Sequence, residues 1–376
     1  MKTNIKICLM ALMLSTLSGN ALGGEETWYH TYYGNGAGEP GYDGIRNTFI
    51  GVYAGARSKG AGQYNTFLGE SAGRNNNGSH NTFLGHQAGF SNYPGSNNNF
   101  IGYQAGFSNT DGDNNNFLGF QTGYFNMTGI NNNFFGYQAG FFNTIGSSNT
   151  FIGTYAGYKN KGSANTFLGN YAGFSNTDGY SNVFLGIHAG YNNTIGHGNV
   201  FLGNAAGMNE TGSNKLYISN SDTATPLIYG DFSTGTVVIH GKITLQSSRE
   251  AKDEIEALTV QGALDALEGL RPVTFVYKTD RTERHMGFIA EDVPEPVATK
   301  DRKGVNPMDI VTVLAKVIQE QQGQIREQQG HIQRLSQGQE KMVQQQQKMA
   351  EQQRDAISAH AEKIAKLERL LAAKKN

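Results

Sequence analysis

Phenylalanine returns at positions 49, 67, 83, 100, 117, 134, 151, 167, 184 and 201, at intervals of 16 to 18 residues. A fixed period of that length is the signature of a stacked repeat architecture, and it constrains this chain more than any other feature. Each of the ten units reads Asn-x-Phe-(Ile/Leu/Phe)-Gly-x-x-(Ala/Thr)-Gly, often followed by Phe or Tyr and then by Asn-x-x-Gly, as in Asn98 to Gly112 and Asn165 to Gly179. One glycine row runs from Gly51 to Gly203, a second from Gly55 to Gly207, and a looser third includes Gly78, Gly95, Gly112, Gly129 and Gly146. Glycine beside Asn suits turns with positive φ, where a Cβ clashes with the backbone. Each unit is therefore expected to form two short strands of about five residues and two turns. Such strands satisfy their backbone groups only by stacking coil upon coil, which gives a β-solenoid. At about 4.8 Å per coil, ten coils make a rod about 50 Å long.

Alternation along a strand puts each Phe and the aliphatic residue after it on opposite faces. If the Phe row fills the coil, then Ile50, Leu68, Leu84, Ile101, Leu118, Phe135, Ile152, Leu168, Leu185 and Leu202 form a long apolar stripe outside it. Two arrangements meet that constraint: a wide coil that encloses both rows, or a subunit interface, most simply threefold.

Other solenoid chemistries fit the columns poorly. Calcium-binding rolls need an Asp in nearly every turn, and residues 47–214 hold only Asp111, Asp113 and Asp178. An ice-binding face wants one uniform Thr column, whereas here it runs Thr48, Thr66, Thr82, Asn99, Asn116, Asn133, Thr150, Thr166, Val183 and Val200. The basic residues of the repeats, Arg57, Lys59, Arg74, Lys159 and Lys161, draw no phosphate-tracking stripe, and the whole chain has a net charge of -1, so nucleic acid is not an expected partner. A glycan hydrolase needs paired carboxylates. The acidic residues of the ten repeats are Glu70, Asp111, Asp113, Asp178 and Glu210. Asn and Tyr/Phe at the turns either bind glycans or cap turns and fill coils.

The flanks differ in composition. Lys2, Lys6 and the apolar run from Ile7 to about Leu17 have the form of a secretory signal peptide, with cleavage expected after Gly23. Cys8, the chain's one cysteine, falls inside it, so the exported chain is expected to have neither disulfides nor thiolate chemistry. No later stretch reaches the roughly 20 apolar residues of a membrane span. The expected location is extracellular or at the cell surface. Residues 24–46, with Trp28, Tyr29, Tyr32 and Tyr33, are expected to cap the first coil. After the repeats, Lys215-Leu-Tyr-Ile-Ser219, Pro226-Leu-Ile-Tyr-Gly230 and Thr236 to Leu245 are β-branched strand signals that form a β neck over 215–246.

From Ser247 the sequence turns to helix-forming residues, among them Arg249, Glu250, Lys252, Asp253, Glu254 and Glu256. Leu258, Leu264, Leu267 and Leu270 mark helical packing that ends before Pro272. Val273–Tyr277 reads as a strand, the segment from His285 to Pro294 follows as a second strand and turn, and an amphipathic helix starts near Met308. Val311, Ile318, Ile325 and Ile332 against Leu314, Gln321, Gln328 and Leu335 keep the 3-4 spacing of a coiled coil. The heptad continues through Met342 and Met349, and after a four-residue stutter resumes at Ile357, Ile364 and Leu371. Fifteen of the 35 residues from Gln319 to Gln353 are Gln. Gln at core positions weakens the coil and sets register or strand number, here read as a parallel trimer about 90 Å long. A Gln-rich disordered tail is the alternative.

The ordered set Ser247-Ser-Arg-Glu-Ala-Lys252, Ala263 to Tyr277, Gly287-Phe-Ile-Ala-Glu-Asp-Val293 and a helix running into a coiled coil resembles the endosialidase-type intramolecular chaperone over residues 247 to about 320. That family consists of self-cleaving C-terminal domains of phage tail spikes, tail fibres and related proteins. The resemblance implies a domain that assembles a homotrimer, completes the upstream fibre and then cuts itself off. It places the scissile bond at Gln246-Ser247, with Ser247 as nucleophile and Lys252 as general base. The commonest family pattern, Ser-Asp-x-Arg-Leu-Lys, is altered here at Ser248, Glu250 and Ala251. His285 either orients the site or packs beside its strand. The repeats are also loosely similar to trimeric adhesin heads. The expected organisation is 1–23 signal peptide, 24–46 cap, 47–214 solenoid, 215–246 neck, 247–318 chaperone and 319–376 coiled coil. No metal or cofactor is expected. Partners are two further copies of the chain, with cell-surface glycans or other surface proteins as possible ligands. A non-cleaving fibre protein and a glycan-degrading spike are the competing readings.

Overall fold

In the computed structural model, residues 30–38, 44–58, 62–278 and 281–373 are described. The signal-peptide reading over 1–23, Cys8, Trp28, Tyr29 and Lys59 fall outside them. The chain divides between Leu245 and Gln246 into two compact units.

The first unit is a β-solenoid. Strand β1 (Thr31–Tyr33) is followed by β2 (Thr48–Ile50), β3 (Thr66–Leu68), β4 (Thr82–Leu84), β5 (Asn99–Ile101) and β6 (Asn116–Leu118). The series continues with β7 (Asn133–Phe135), β8 (Thr150–Ile152), β9 (Thr166–Leu168), β10 (Val183–Leu185), β11 (Val200–Leu202) and β12 (Lys215–Ile218). All twelve lie parallel and in sequence order. Strands β13 (Ile228–Asp231) and β14 (Thr236–Ile239) then extend the same sheet antiparallel.

Each coil contains one strand of three residues rather than the two of about five expected from the sequence. The Ala-Gly segment folds as consecutive turns because two of its residues take left-handed backbone, for example Tyr53 (φ 57°) and Gly55 (φ 63°). A β-strand cannot continue through such positions. The turns still bond from coil to coil, as in Gly106 N–H to the Thr122 carbonyl at 2.9 Å and Gly123 N–H to that of Ala139 at 2.9 Å. The third glycine row has a different cause from the one expected. Gly95 and Gly112 are not in the positive-φ region, but a Cβ on either would land on the backbone carbonyl of the next coil and on buried Asn side chains.

The ten Phe rings are 0–1% exposed and stack with centroids 4.6–4.9 Å apart. Tyr32 extends the stack at one end, and Tyr217 meets Phe201 edge-on at the other. The outward alternative for the aliphatic row is thereby the one the single chain adopts: Leu68, Leu84, Leu118, Ile152 and Leu168 are about 40% exposed.

Asn is not a surface feature of these turns. Asn47, Asn65, Asn81 and their successors to Asn199 are at most 1% exposed. Each Oδ1 accepts the backbone N–H of the corresponding residue one coil on, as from Asn115 to Asn98 at 2.9 Å and, at the end of the column, from Lys215 to Asn199 at 2.8 Å. Each Nδ2 donates to a glycine carbonyl, as from Asn115 to Gly129 at 2.9 Å. A second column from Asn76 to Asn160 is bonded amide to amide, as from Asn126 to Asn109 at 2.7 Å. Buried backbone groups at the coil corners thus find partners without water.

In the second unit, a 3-10 turn at Arg249–Ala251 precedes α1 (Val260–Gly269), β15 (Val273–Phe275), β16 (His285–Gly287), a second 3-10 turn at Glu295–Val297 and α2 (Pro307–Ala373). Strands β15 and β16 pair antiparallel. The helix expected from Ser247 begins only at Val260. Lys252 is extended and Glu254 is left-handed (φ 49°), and the Thr259 hydroxyl then accepts Gly262 N–H at 3.0 Å as an N-cap. Ala263 and Ala266 of α1 pack with Val293, Val297, and Val313 and Val317 of α2. Beyond that core α2 stays helical to Ala373, and Ile325, Ile332, Leu335, Met342, Ile357, Ile364 and Leu371 are each more than half exposed.

Candidate functional site

Ser247 and Lys252 meet at the start of the second unit. The Ser248 hydroxyl accepts the N–H of Glu250 at 3.2 Å and caps the Arg249–Ala251 turn. Ala251 N–H bonds the Ser248 carbonyl at 3.1 Å, and Lys252 N–H bonds that of Arg249 at 3.2 Å. This tight reversal brings the Lys252 side chain back along its own chain, so that Nζ donates to Ser247 Oγ at 2.6 Å. Gln246, Ser247 and Lys252 are all exposed in the single chain.

A hydroxyl and a primary amine in contact are the minimum set for nucleophilic catalysis by serine, with the amine taking the hydroxyl proton when it is neutral. His285 is placed elsewhere in the chemistry. Its ring lies against Phe275 (5.9 Å) and edge-on to Tyr277 (5.1 Å), and among the described residues no hydrogen bond links it to Ser247 or Lys252. Its position is that of a packed strand residue.

Sequence reasoning missed two structural supports. The Ser248 cap was legible in principle, because Ser directly before a short turn is a preferred N-cap. It fills the position where the commonest family pattern carries Asp, another good cap. Arg302 had no sequence signal: its guanidinium donates to the carbonyls of Glu291 (2.6 Å) and Val293 (2.7 Å), tying down the loop that supplies Val293 to the core.

Residues 247–299 match the family model of the chaperone of endosialidase. The matched span opens on Ser247 and includes the turn, α1 and the β15–β16 hairpin. No curated protein and no solved structure matches the chain. The matched span does not complete its own core: Ile310, Val313 and Val317, on the first turns of α2, lie beyond residue 299 and close it. A β-solenoid followed by this segment fits a tail-fibre-like structural protein, and the family implies trimeric assembly.

The carboxylates of the repeats hold local roles. Asp113 Oδ1 accepts Ser96 N–H at 2.6 Å, and Glu210 accepts both Gly212 N–H at 2.6 Å and the Tyr217 hydroxyl at 2.8 Å. Burial, reinforced by that bond to Glu210, pushes the Tyr217 hydroxyl pKa far up. In the neck, Lys215 Nζ donates to Asp231 at 2.5 Å, and this bond together with those from Ser233 holds Asp231 well below the usual carboxylate range. Among the described residues there is no group of three or more His, Cys, Asp or Glu placed to hold a metal, and no helix is long and apolar enough to cross a membrane.

Proposed function

We propose that the protein is an exported, homotrimeric, fibre-like structural or adhesive protein whose chaperone segment assembles three chains and then cuts the Gln246-Ser247 bond. The observation that carries the reading is the 2.6 Å contact between Lys252 Nζ and Ser247 Oγ at the first residue of the matched span.

In this chemistry Lys252 removes the hydroxyl proton and Ser247 Oγ attacks the Gln246 carbonyl carbon. The C–N bond breaks, the Ser247 nitrogen takes a proton to become a free amine, and Gln246 is left as an ester on Oγ. Water hydrolyses that ester to a Gln246 carboxylate and regenerates the serine. A general base must be neutral, and burial disfavours the ammonium form. Lys252 is open to water in one chain, so covering it on trimer assembly makes cleavage conditional on correct folding. Glycans or other surface proteins are the ligand classes for the rod, and the signal-like N-terminus supports export.

The test compares wild type with Ser247→Ala and Lys252→Ala by intact mass, denaturing gel and native mass. Two fragments meeting at Gln246-Ser247 in wild type, with one uncut chain in both variants, are expected. An uncut trimer in all three makes the segment a permanent stalk and overturns the proteolytic part. An uncut monomer overturns assembly as well.

A further inference from the structure

The outward aliphatic row does not stop where the repeats stop. Strand register carries it from Leu185 to Leu202, then to Ile218, Ile228 and Ile239 across β12, β13 and β14. At the other end Tyr33 pairs with Ile50 and opens the row. The stripe therefore has one apolar rung on every strand from β1 to β14, about 60 Å at the spacing of paired strands. Ile239 is 42% exposed, as open as Leu118 at 43%. The sequence period alone cannot show this, because β12 to β14 lack the repeat and β13 and β14 run antiparallel.

Two other apolar columns of the rod are shorter and are already engaged. His86, Tyr103, Phe120 and Tyr137 stack ring on ring at 5.0–5.2 Å. Phe90, Phe107, Tyr124, Phe141, Tyr158, Phe174 and Tyr191 do the same at 4.9–5.3 Å. Their faces, which a sugar ring or a second aromatic would need, are covered by one another, and only edges remain. The first column gives way to Thr154 and the second to Met208. Neither reaches the neck.

We infer that the row from Tyr33 to Ile239 is the inner face of a parallel assembly of this chain with two further copies, one continuous seam through rod and neck. This rests on the trimer reading and assigns its face. A partner for the seam must present an apolar side chain every strand spacing for fourteen rungs without a polar break. A copy of the same chain, in register about a threefold axis along the rod, meets that condition by construction. Beside the stripe, the Asn99, Asn116 and Asn133 amides bond to one another at 2.8 Å, which satisfies part of their hydrogen-bonding within the chain.

The test uses the full-length chain in a Cys8→Ser background, which is otherwise free of cysteine, with single Leu118→Cys, Ile239→Cys and Ile145→Cys variants. Ile145 is 63% exposed in the turn before Gly146, off the stripe. After treatment with a short thiol cross-linker, chains of the first two variants are expected to run mainly as covalent dimers, since two of three sulfurs join, while Ile145→Cys stays single. Native mass is taken in parallel. A trimer in which neither Leu118→Cys nor Ile239→Cys joins overturns the face and leaves the trimer reading standing. Joining at Leu118 but not at Ile239 overturns the continuous seam. A monomer throughout overturns both the face and the trimer.

Discussion

The Phe column of the rod and the apolar stripe of α2 are both rows of large hydrophobic side chains at a fixed sequence period, yet their fates in a single chain are opposite. Phe134 is fully buried between Phe117 and Phe151, its neighbours one coil away in each direction. Ile332 is 64% exposed on the length of α2 that runs on past the core at Val313 and Val317. A solenoid repeat returns the chain to its own side, so every rung finds a partner 16 to 18 residues on. A heptad repeat never returns, and its stripe can be covered only by another helix. The comparison separates what this chain stabilises alone from what it leaves for assembly.

The largest effect follows from the column. Phe134→Ala removes a ring packed on both faces and leaves a cavity, and is expected to cost about 3–5 kcal/mol in urea unfolding followed by circular dichroism. A loss under about 1 kcal/mol would mean that the stacked column does not hold the coils together. A smaller effect belongs to the neck. Because Asp231 is depressed below its unfolded pKa of about 3.9, its bond to Lys215 contributes stability that is fully present above about pH 4 and lost as pH falls below it. Lys215 is raised, with the bond to Asp231 as its main cause, so its contribution is present below its unfolded value and lost as pH rises through the folded one. Asp231→Asn should flatten the acid limb of a thermal-stability profile, and an unchanged limb would exclude the pair as its source. The smallest effect is on the helix. In dilute, monomeric chain, Ile332→Gln should change stability by no more than about 0.5 kcal/mol, as for other exposed positions. A larger, concentration-dependent loss would show that α2 is already paired, and would sharpen the contrast with the rod.

Much of the rod was legible in the residues, because a 17-residue period with invariant Phe and Gly has few solutions other than stacked coils. Strand count was not: the Ala-Gly segment carries a β-like alternation but takes left-handed backbone at Tyr53 and Gly55, which side-chain pattern does not announce. The role of Asn was also hidden. Asn98 and Asn115 look like turn residues, and only the packed coil reveals that their amides replace water for buried backbone groups. At the site, Ser247 and Lys252 were marked only by the resemblance over residues 247 to about 320, since a Ser and a Lys five apart are common in any sequence. Their contact depends on the Ser248-capped turn, which is a property of three-dimensional closure.

From sequence alone came the period, the break in composition at the end of the repeats and the fact that Phe and the following Ile or Leu must face opposite ways, while the Ser-x-x-x-x-Lys pair came only with the family resemblance. Whether a wide coil encloses both rows or leaves the aliphatic row outside was open, since alternation does not fix the width of the coil. The tertiary structure decided it: a coil of 16 to 18 residues closed by left-handed corners encloses one stacked ring per turn, and the aliphatic row, left outside, runs on through register into a neck whose sequence no longer repeats.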